Sequence, residues 1–325
     1  MIVGGLIALA WSSDFFVDGA AALAKVMGIS PFVVGMVVIG FGTSAPELCV
    51  SVLSGFAGHS NLSLGNAYGS CIFNIAVILG VAALIHPLVV KPSVAFVAAP
   101  ALTGIAVLSY IQLSDCVCTR LDASVLLGIF AVLLPGYCWL DQKGRGNEKG
   151  KDAEAKQEGG AAAERPSVGL ALVKTVVGLV VLVASSYFLV WGSVDLAKAI
   201  GISDLVIGLT IVAVGTSLPE LASAVASARR GENEFVLGNI VGSNFFNTLA
   251  VVGLACVISP VDSFSPYVLS RDLPLMAVAS LSIAVFGINR RNPREPGRIG
   301  RRMGAVWLLS FIVYTVVMLL QELKN

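Results

Sequence analysis

Residues 42–48 read GTSAPEL, and residues 215–221 read GTSLPEL. Each motif is followed by a second one, GNAYGSCIFN at 65–74 and GNIVGSNFFN at 238–247. A shift of 173 residues superposes the two copies without a gap, with 25 identities over the 60 positions 28–87. Similar composition explains matched apolar residues, but it does not explain Glu on Glu, Pro on Pro and Asn on Asn in one frame. The chain therefore contains an internal repeat.

The composition around these motifs is that of a membrane protein. Of 325 residues, 56% are hydrophobic and 13% are charged, about half the charged share of a typical soluble domain. The mean hydropathy is +0.88 and the net charge is +1. These values exclude a soluble globular protein, a disordered chain and a nucleic-acid-binding protein. At about 20 apolar residues per span, the length accommodates roughly ten helices.

Ten apolar runs are candidate transmembrane helices, so the predicted fold is an all-α polytopic membrane protein. The runs lie at 2–22, 31–56, 62–86, 92–113, 122–141, 168–197, 204–228, 235–259, 272–289 and 303–322. No Lys or Arg precedes Lys25, so the first run lacks the basic start of a signal peptide. We therefore expect an uncleaved first helix with its N-terminus outside.

The basic residues predict the orientation of the spans. With ten spans and the N-terminus outside, 17 Lys and Arg fall on the inner side and 4 on the outer side. The charged segment 142–167 is then a flexible cytoplasmic linker between a first repeat, 1–141, and a second repeat, 168–325. Each half has five spans, an odd number, so the halves are inverted. Both termini are expected to be periplasmic, in a bacterial inner membrane.

Two glutamates lie deep inside predicted spans. Glu47 and Glu220 occupy equivalent positions, and an ionisable residue at that depth costs several kcal/mol unless it faces a partner or water. A purely structural carboxylate needs a nearby base, and no Lys or Arg lies inside the apolar part of these spans. The preceding prolines should break both helices and free carbonyl oxygens near Gly40 and Ala213. Inverted repeats with broken helices are typical of secondary transporters.

Further oxygen donors surround these glutamates. Thr43 and Ser44, with their equivalents Thr216 and Ser217, share a helix face with each Glu. Polar stripes follow, with members Asn66, Ser70, Asn74, Asn239, Ser243 and Asn247. Such a stripe alone is often only a contact between helices. Together with two carboxylates, the hydroxyl, amide and carbonyl oxygens favour Na⁺ and Ca²⁺ over transition metals.

The motifs resemble those of the sodium/calcium exchanger family, G-T-S-x-P-E followed by G-N-x-x-G-S-N-x-F-N, and the resemblance covers the whole chain. It implies exchange of Ca²⁺ against Na⁺ by alternating access. The implied ion ligands are Glu47, Glu220, Thr43, Ser44, Thr216, Ser217, Ser70, Asn74, Ser243 and Asn247, with backbone carbonyls from Gly40 and Ala213.

Two positions depart from the family pattern. Cys71 stands where the pattern has Asn, whereas Asn244 keeps it in the second copy. Asn247 stands where many relatives carry Asp. The site then has two formal carboxylate charges, which leaves the stoichiometry and a dependence on K⁺ open.

Several alternatives remain at this point. The same glutamates would serve a Ca²⁺/H⁺ exchanger or a K⁺-dependent Na⁺/Ca²⁺ exchanger, and a passive cation channel is less favoured. An intramembrane hydrolase needs H-E-x-x-H, a Ser with a midplane His, or paired Asp, and the sequence has none of them, so no enzyme is expected. We expect no cofactor other than the transported ions, and no obligatory protein partner besides the lipid bilayer. Asp14 and Asp18 have no counterparts in the second half and are assigned either an access path or a structural role.

Overall fold

A computed structural model describes residues 2–56, 60–155, 167–199 and 213–322. Most of these residues are helical, as predicted, and the others form two three-residue strands and the connecting loops. The first half contains α1 (Ile2–Met27), α2 (Pro31–Val34), α3 (Gly40–Thr43), α4 (Ala45–Phe56), α5 (Ser60–Phe73), α6 (Gly80–Ile85), β1 (Leu88–Val90), α7 (Ala99–Gln112) and α8 (Arg120–Ala155). The second half contains α9 (Val168–Ala199), α10 (Ala213–Thr216), α11 (Leu218–Arg229), α12 (Asn233–Phe245), α13 (Val252–Ile258), α14 (Leu273–Gly287), β2 (Gly297–Ile299) and α15 (Arg301–Glu322). Within the described ranges, five π-helical segments lie inside longer helices or at their start, at Gly35–Ile39, Asn74–Leu79, Val94–Ala98, Phe246–Val251 and Val268–Asp272.

Eight helices of the described ranges are long and apolar enough to cross a membrane. They are Ile7–Met27, Ser63–Ile85, Val94–Gln112, Arg120–Leu140, Val168–Phe188, Asn233–Ile258, Val268–Gly287 and Arg301–Gln321. They correspond to eight of the ten predicted spans. The other two predictions, 31–56 and 204–228, do not form single long helices, and 204–212 lies outside the described residues.

Both of these predicted spans are interrupted at the serine of the repeated motif. Ser44 follows α3 with φ −82° and ψ 6°, and Ser217 precedes α11 with φ −92° and ψ 9°. Two residues later, Pro46 and Pro219 have no N–H to donate, and each ring would clash with the carbonyl four residues earlier. The helix breaks that these prolines predict are confirmed.

The helix of the fifth predicted span, α8, extends further than the sequence predicts. Helix α8 runs to Ala155, 14 residues beyond the predicted end of its span at 141. Residues 142–155 contain three Lys, two Glu and two Ala, which are favourable in helices, but also three Gly, which are not. Neither the charges nor the glycines end the helix. The remainder of the predicted linker, 156–166, lies outside the described residues.

Glycines allow α12 to pack against the segment that leads to Ser44. A Cβ atom at Gly238 would collide with the Phe32 carbonyl oxygen, and one at Gly242 would collide with the Met36 carbonyl oxygen. Small residues permit this close approach of helix backbones within a membrane. The packing brings the second motif of one repeat against the first motif of the other.

Helices α1 and α9 form a second packed unit beside the main core. A Cβ atom at Gly178 would lie 2.7 Å from the Cα atom of Phe16, so these two backbones also nearly touch. Phe16, Ala20 and Leu182 belong to a buried cluster that is separate from the main one. This pair therefore packs mainly on itself and covers one side of the broken helices.

Short backbone pairings join loops that are distant in sequence. Strand β1 pairs antiparallel with β2, with Val89 opposite Arg298. Cys118 and Val261 exchange two backbone hydrogen bonds, of 2.8 and 3.0 Å. The loops after α6 and α14 therefore meet, as do the loops after α7 and α13.

Candidate cation-binding site

The two predicted glutamates lie at equivalent positions just after the helix breaks. Glu47 is the third residue of α4 and Glu220 is the third residue of α11. Both side chains are completely buried. The breaks at Ser44 and Ser217 allow each glutamate to begin a new helix in the interior.

Each glutamate is held by the serine of the opposite repeat. The Ser44 hydroxyl donates to Glu220 Oε1 over 2.8 Å, and the Ser217 hydroxyl donates to Glu47 Oε1 over 3.1 Å. The neighbouring threonines take part in the same way, since Thr43 contacts the Glu220 carboxyl and Thr216 contacts that of Glu47. The two motifs therefore interlock, and the two carboxyl groups lie at one interface between the repeats.

The second carboxyl oxygen of each glutamate has no hydrogen-bond partner among the described residues. These atoms are Glu47 Oε2 and Glu220 Oε2, and both are buried. A buried polar oxygen without a donor costs free energy, so such atoms require an explanation. Carboxylate oxygens of this kind are the ligands that Na⁺ and Ca²⁺ prefer.

Two amides add further oxygens. Asn74 and Asn247 are fully buried, and both lie in π-helical segments at matching places in the two repeats. The Asn74 amide donates to Asn244 Oδ1 over 3.0 Å, while its own Oδ1 has no donor in the described chain. Neither polar side-chain atom of Asn247, Oδ1 or Nδ2, has a hydrogen-bond partner among the described residues. π-Helical turns are frequent at functional sites because they reorient side chains.

Ser70 and Ser243 join the network at different points. Ser70 Oγ lies 3.3 Å from Ser217 Oγ, which places it beside Glu47. Ser243 Oγ donates to the Gly40 carbonyl over 3.3 Å. That carbonyl also accepts the Ser44 N–H over 3.1 Å, so the break does not leave it free, contrary to the prediction from sequence. Ala213 begins α10 on the approach to the second break.

Asn239 is a central residue that the sequence prediction left out of the ligand set. Its amide donates to Ser223 Oγ over 2.9 Å and to the Glu220 carbonyl over 3.3 Å. Its Oδ1 lies 3.3 Å from Thr43 Oγ1 and 3.4 Å from Ser243 Oγ. The polar stripe contains this residue, but nothing in the stripe indicates that it links both repeats.

Ser186 is a second residue that the prediction missed. Its hydroxyl donates to the Gly215 carbonyl over 3.0 Å. That carbonyl stands four residues before Pro219, so a side chain of α9 replaces the backbone donor that proline removes. No sequence signal identifies this contact, because Ser186 lies in an ordinary apolar helix.

The departure at Cys71 makes the two halves unequal. Cys71 and its equivalent, Asn244, face each other: the Asn244 amide donates to the Cys71 carbonyl over 3.2 Å. The Cys71 thiol lies 3.4 Å from the Thr248 hydroxyl. A thiol cannot reproduce the amide contacts of Asn244, so only one of the two equivalent asparagines, Asn74, receives a neighbouring amide partner.

Asp14 and Asp18 lie away from the glutamates and share one cation. Arg230, in the loop after α11, lies 3.2 Å from Asp14 Oδ1 and also pairs with Asp18. The two aspartates therefore hold α1 against that loop. Of the two roles predicted for them, an access path and a structural role, these contacts support the structural one. Nearby, partial burial raises the pKa of the Glu232 carboxyl, and Asp18 adds to this shift while Arg230 opposes it.

A duplicated membrane helix bundle whose halves share a buried set of oxygen donors belongs to the class of secondary transporters for cations. Comparison with known proteins identifies the family. The family model for the sodium/calcium exchanger protein matches residues 1–136 and 170–320. The chain belongs to the sodium/calcium exchanger family, whose members are cation/Ca²⁺ antiporters, and it is a multi-pass membrane protein.

Individual relatives cover nearly the whole chain. A protein of Alkalimonas amylolytica that is named as an antiporter, CaxA, is 37% identical over 96% of this chain and 96% of its own length. The sodium/calcium exchanger MaX1 of Methanosarcina acetivorans is 30% identical over 97% of this chain and 96% of its own. A solved structure of the sodium–calcium exchanger NCX_Mj matches with a TM-score of 0.80 at 29% identity, over 96% of this chain and 95% of that one.

Proposed function

We propose that the protein exchanges Ca²⁺ for Na⁺, and that Glu47 and Glu220 bind the ions together at the repeat interface. The observation that carries this proposal is the reciprocal pair of hydrogen bonds, Ser44 to Glu220 and Ser217 to Glu47. It leaves one buried oxygen of each carboxyl group without a donor in the described chain. Two carboxylates neutralise one Ca²⁺ or two Na⁺, so the two ions compete for the same charges.

The proposed ligand set keeps all but one of the groups predicted from sequence. It consists of Glu47, Glu220, Thr43, Ser44, Thr216, Ser217, Ser70, Asn74, Ser243 and Asn247, with the carbonyl of Ala213. The Gly40 carbonyl is left out because it already accepts the Ser44 N–H and the Ser243 hydroxyl. The unpartnered oxygens of Asn74 and Asn247 favour them as direct ligands. Asn239 acts in this proposal as a positioning residue, because its contacts hold Thr43 and Ser243.

The inversion of the halves 1–141 and 168–325, on which the proposed alternating access depends, is supported by an ion pair between two loops. Lys91 forms an ion pair with Glu234 over 2.8 Å. Three of the eight candidate spans lie between these two residues, an odd number that would put them on opposite sides of a membrane. One more crossing before Glu234 removes the conflict, and the broken seventh span supplies it. This supports a crossing at the seventh span, and the equivalent broken second span of the first repeat brings the proposed total to ten.

The orientation proposed is that of a bacterial inner-membrane protein with both termini in the periplasm and the linker in the cytoplasm. It rests on the excess of basic residues on one side. Single cysteines placed within 145–160 of a cysteine-free variant should react with an impermeant maleimide only after the cytoplasmic side is exposed. Labelling in intact cells would show that the protein has the opposite orientation.

The counter-ion is tested by ⁴⁵Ca²⁺ flux into proteoliposomes under imposed gradients of Na⁺, K⁺ or H⁺. The proposal predicts uptake that is driven by an outward Na⁺ gradient and that saturates with Ca²⁺. Uptake that follows the pH gradient and ignores Na⁺ would identify a Ca²⁺/H⁺ exchanger, and uptake that needs both Na⁺ and K⁺ would identify a K⁺-dependent exchanger. Flux without counterflow would identify a channel and refute the proposal.

A further inference from the structure

The loop between α14 and α15 carries a concentration of arginines. Within the thirteen residues 290–302, six side chains are guanidinium groups, and this segment is called the arginine loop here. Its members are Arg290, Arg291, Arg294, Arg298, Arg301 and Arg302. All six are exposed, and Glu295 is the single acidic residue among them.

The backbone of the arginine loop is held in a fixed shape. Asn289 Oδ1 accepts the N–H groups of Arg291 and Asn292 over 3.1 and 3.2 Å. Ile288 pairs with Pro296 in an antiparallel bridge, and the following residues form β2 against β1. The arginines therefore extend from a preformed scaffold, and a ligand that they bind does not have to order the loop first.

Two basic residues in the adjoining loops, Lys91 and Arg230, differ from these arginines because they have acidic partners. Lys91 pairs with Glu234, and Arg230 pairs with two aspartates of α1. In the arginine loop, Glu295 Oε1 instead accepts the Asn292 amide over 2.9 Å. Within the part of the chain that the structure describes, none of the six arginines forms an ion pair. Their positive charge is left for a partner outside the chain.

The position of the loop indicates what that partner is. One candidate span ends at Gly287 and the next begins at Arg301, so every residue of the loop lies within about seven positions of a membrane boundary. Arg301 and Arg302 open α15, where a positive charge opposes the helix dipole. Arg301 Nε donates to the Leu84 carbonyl at the end of α6 over 3.0 Å, so the fold accounts for Arg301 but not for Arg302. The excess of basic residues that sets topology accounts for their side of the membrane, but not for their lack of acidic partners.

We propose that the arginine loop binds the phosphate groups of anionic phospholipids in the leaflet that it faces. Guanidinium groups match phosphate oxygens with paired hydrogen bonds, and clusters of basic residues beside a span attract anionic lipids. The proposal is independent of which ions the transporter exchanges. A failure of the exchange proposal would leave it unaffected.

The test compares two triple variants with equal loss of charge. Arg290→Gln/Arg291→Gln/Arg294→Gln removes half of the loop's arginines, and Lys25→Gln/Arg120→Gln/Arg229→Gln is the matched control. Each protein, purified in detergent, is titrated with phosphatidylglycerol or phosphatidylcholine, and the bound lipids are counted by native mass spectrometry. We expect affinity for phosphatidylglycerol to fall about 100-fold in the loop variant and to stay near wild type in the control.

Three results would overturn the proposal. They are equal retention of phosphatidylglycerol by the loop variant, equal binding of phosphatidylcholine, and displacement of the lipid by an equal concentration of inorganic phosphate. The last result would assign the loop to free phosphate. If the triple variant fails to fold, the wild type alone decides, because binding to six arginines must weaken as salt is raised, and binding that is independent of salt would refute the idea.

Discussion

Replacing either buried glutamate by glutamine tests the proposed site most directly. Glu47 Oε1 accepts the Ser217 hydroxyl, and Glu220 Oε1 accepts the Ser44 hydroxyl. A glutamine keeps this acceptor oxygen and the same size. The change is confined to Oε2, the atom without a donor among the described residues, which becomes an NH₂ group that cannot bind a cation.

The expected effect on ion binding is large because both side chains are completely buried. A Ca²⁺ ion held by one carboxylate instead of two keeps an uncompensated charge in the interior. Breaking a buried charge pair in this way costs about 3–5 kcal/mol. At about 1.4 kcal/mol per tenfold change in affinity, Ca²⁺ binding should weaken at least 100-fold in each variant.

Folding should survive the same change. Two buried carboxylates repel each other when no ion is bound, so the glutamine variants should unfold at the wild-type temperature or above it in Ca²⁺-free buffer. A residue with only a structural role would show the opposite, a lower unfolding temperature with normal ion binding. The two readouts therefore separate the alternatives.

The assay is thermal unfolding of the purified protein with and without Ca²⁺, followed by ⁴⁵Ca²⁺ uptake in proteoliposomes. Added Ca²⁺ should raise the unfolding temperature of the wild type and of the control Asp262→Asn, whose side chain is exposed in a loop. Added Ca²⁺ should not raise the unfolding temperature of Glu47→Gln or Glu220→Gln, and neither variant should transport Ca²⁺. A Ca²⁺-dependent shift of wild-type size in both variants would refute the site.

Three further predictions concern residues around the site. Asn247→Asp should make Ca²⁺ binding depend more steeply on pH, because an added carboxylate has to lose its proton before it can act as a ligand; an unchanged pH profile of Ca²⁺ affinity would show that this position does not face the ion. Gly242→Ala should lower the free energy of unfolding by about 1–3 kcal/mol, because its Cβ atom would meet Met36, whereas Gly104→Ala, with no atom within 4 Å, should not; thermal unfolding of both variants measures the difference. Arg230→Gln should lower the free energy of unfolding by about 1 kcal/mol at most and leave Ca²⁺ affinity intact, since Asp14 and Asp18 are half exposed. An Asp14→Asn/Asp18→Asn variant should give no additional loss of stability when it is combined with Arg230→Gln. Additive losses in denaturation experiments would contradict the pairing.

Sequence reasoning predicted those features that depend on local composition and on the repeat. The apolar runs predicted eight of the spans, because hydropathy over about 20 residues is enough to recognise a helix that crosses a membrane. Pro46 and Pro219 predicted the two interruptions, because proline disrupts helical hydrogen bonding wherever it stands. At 142–155, where the charged and glycine-containing composition predicts a linker, the structure continues α8 as a helix.

The tertiary structure alone decided which groups meet. The serine of each motif bonds the glutamate of the other motif, at sequence separations of 176 and 170 residues. Asn239 links both repeats, Ser186 reaches the Gly215 carbonyl, and Arg230 joins two aspartates of α1. A motif specifies the residue types on its own helix face, and a repeat implies that equivalent residues have equivalent surroundings. Which donor reaches which acceptor depends on how the helices pack. Here the packing depends on glycines such as Gly238 and Gly242, which let two helix backbones approach closely. The distance between two helices cannot be read from a local sequence pattern.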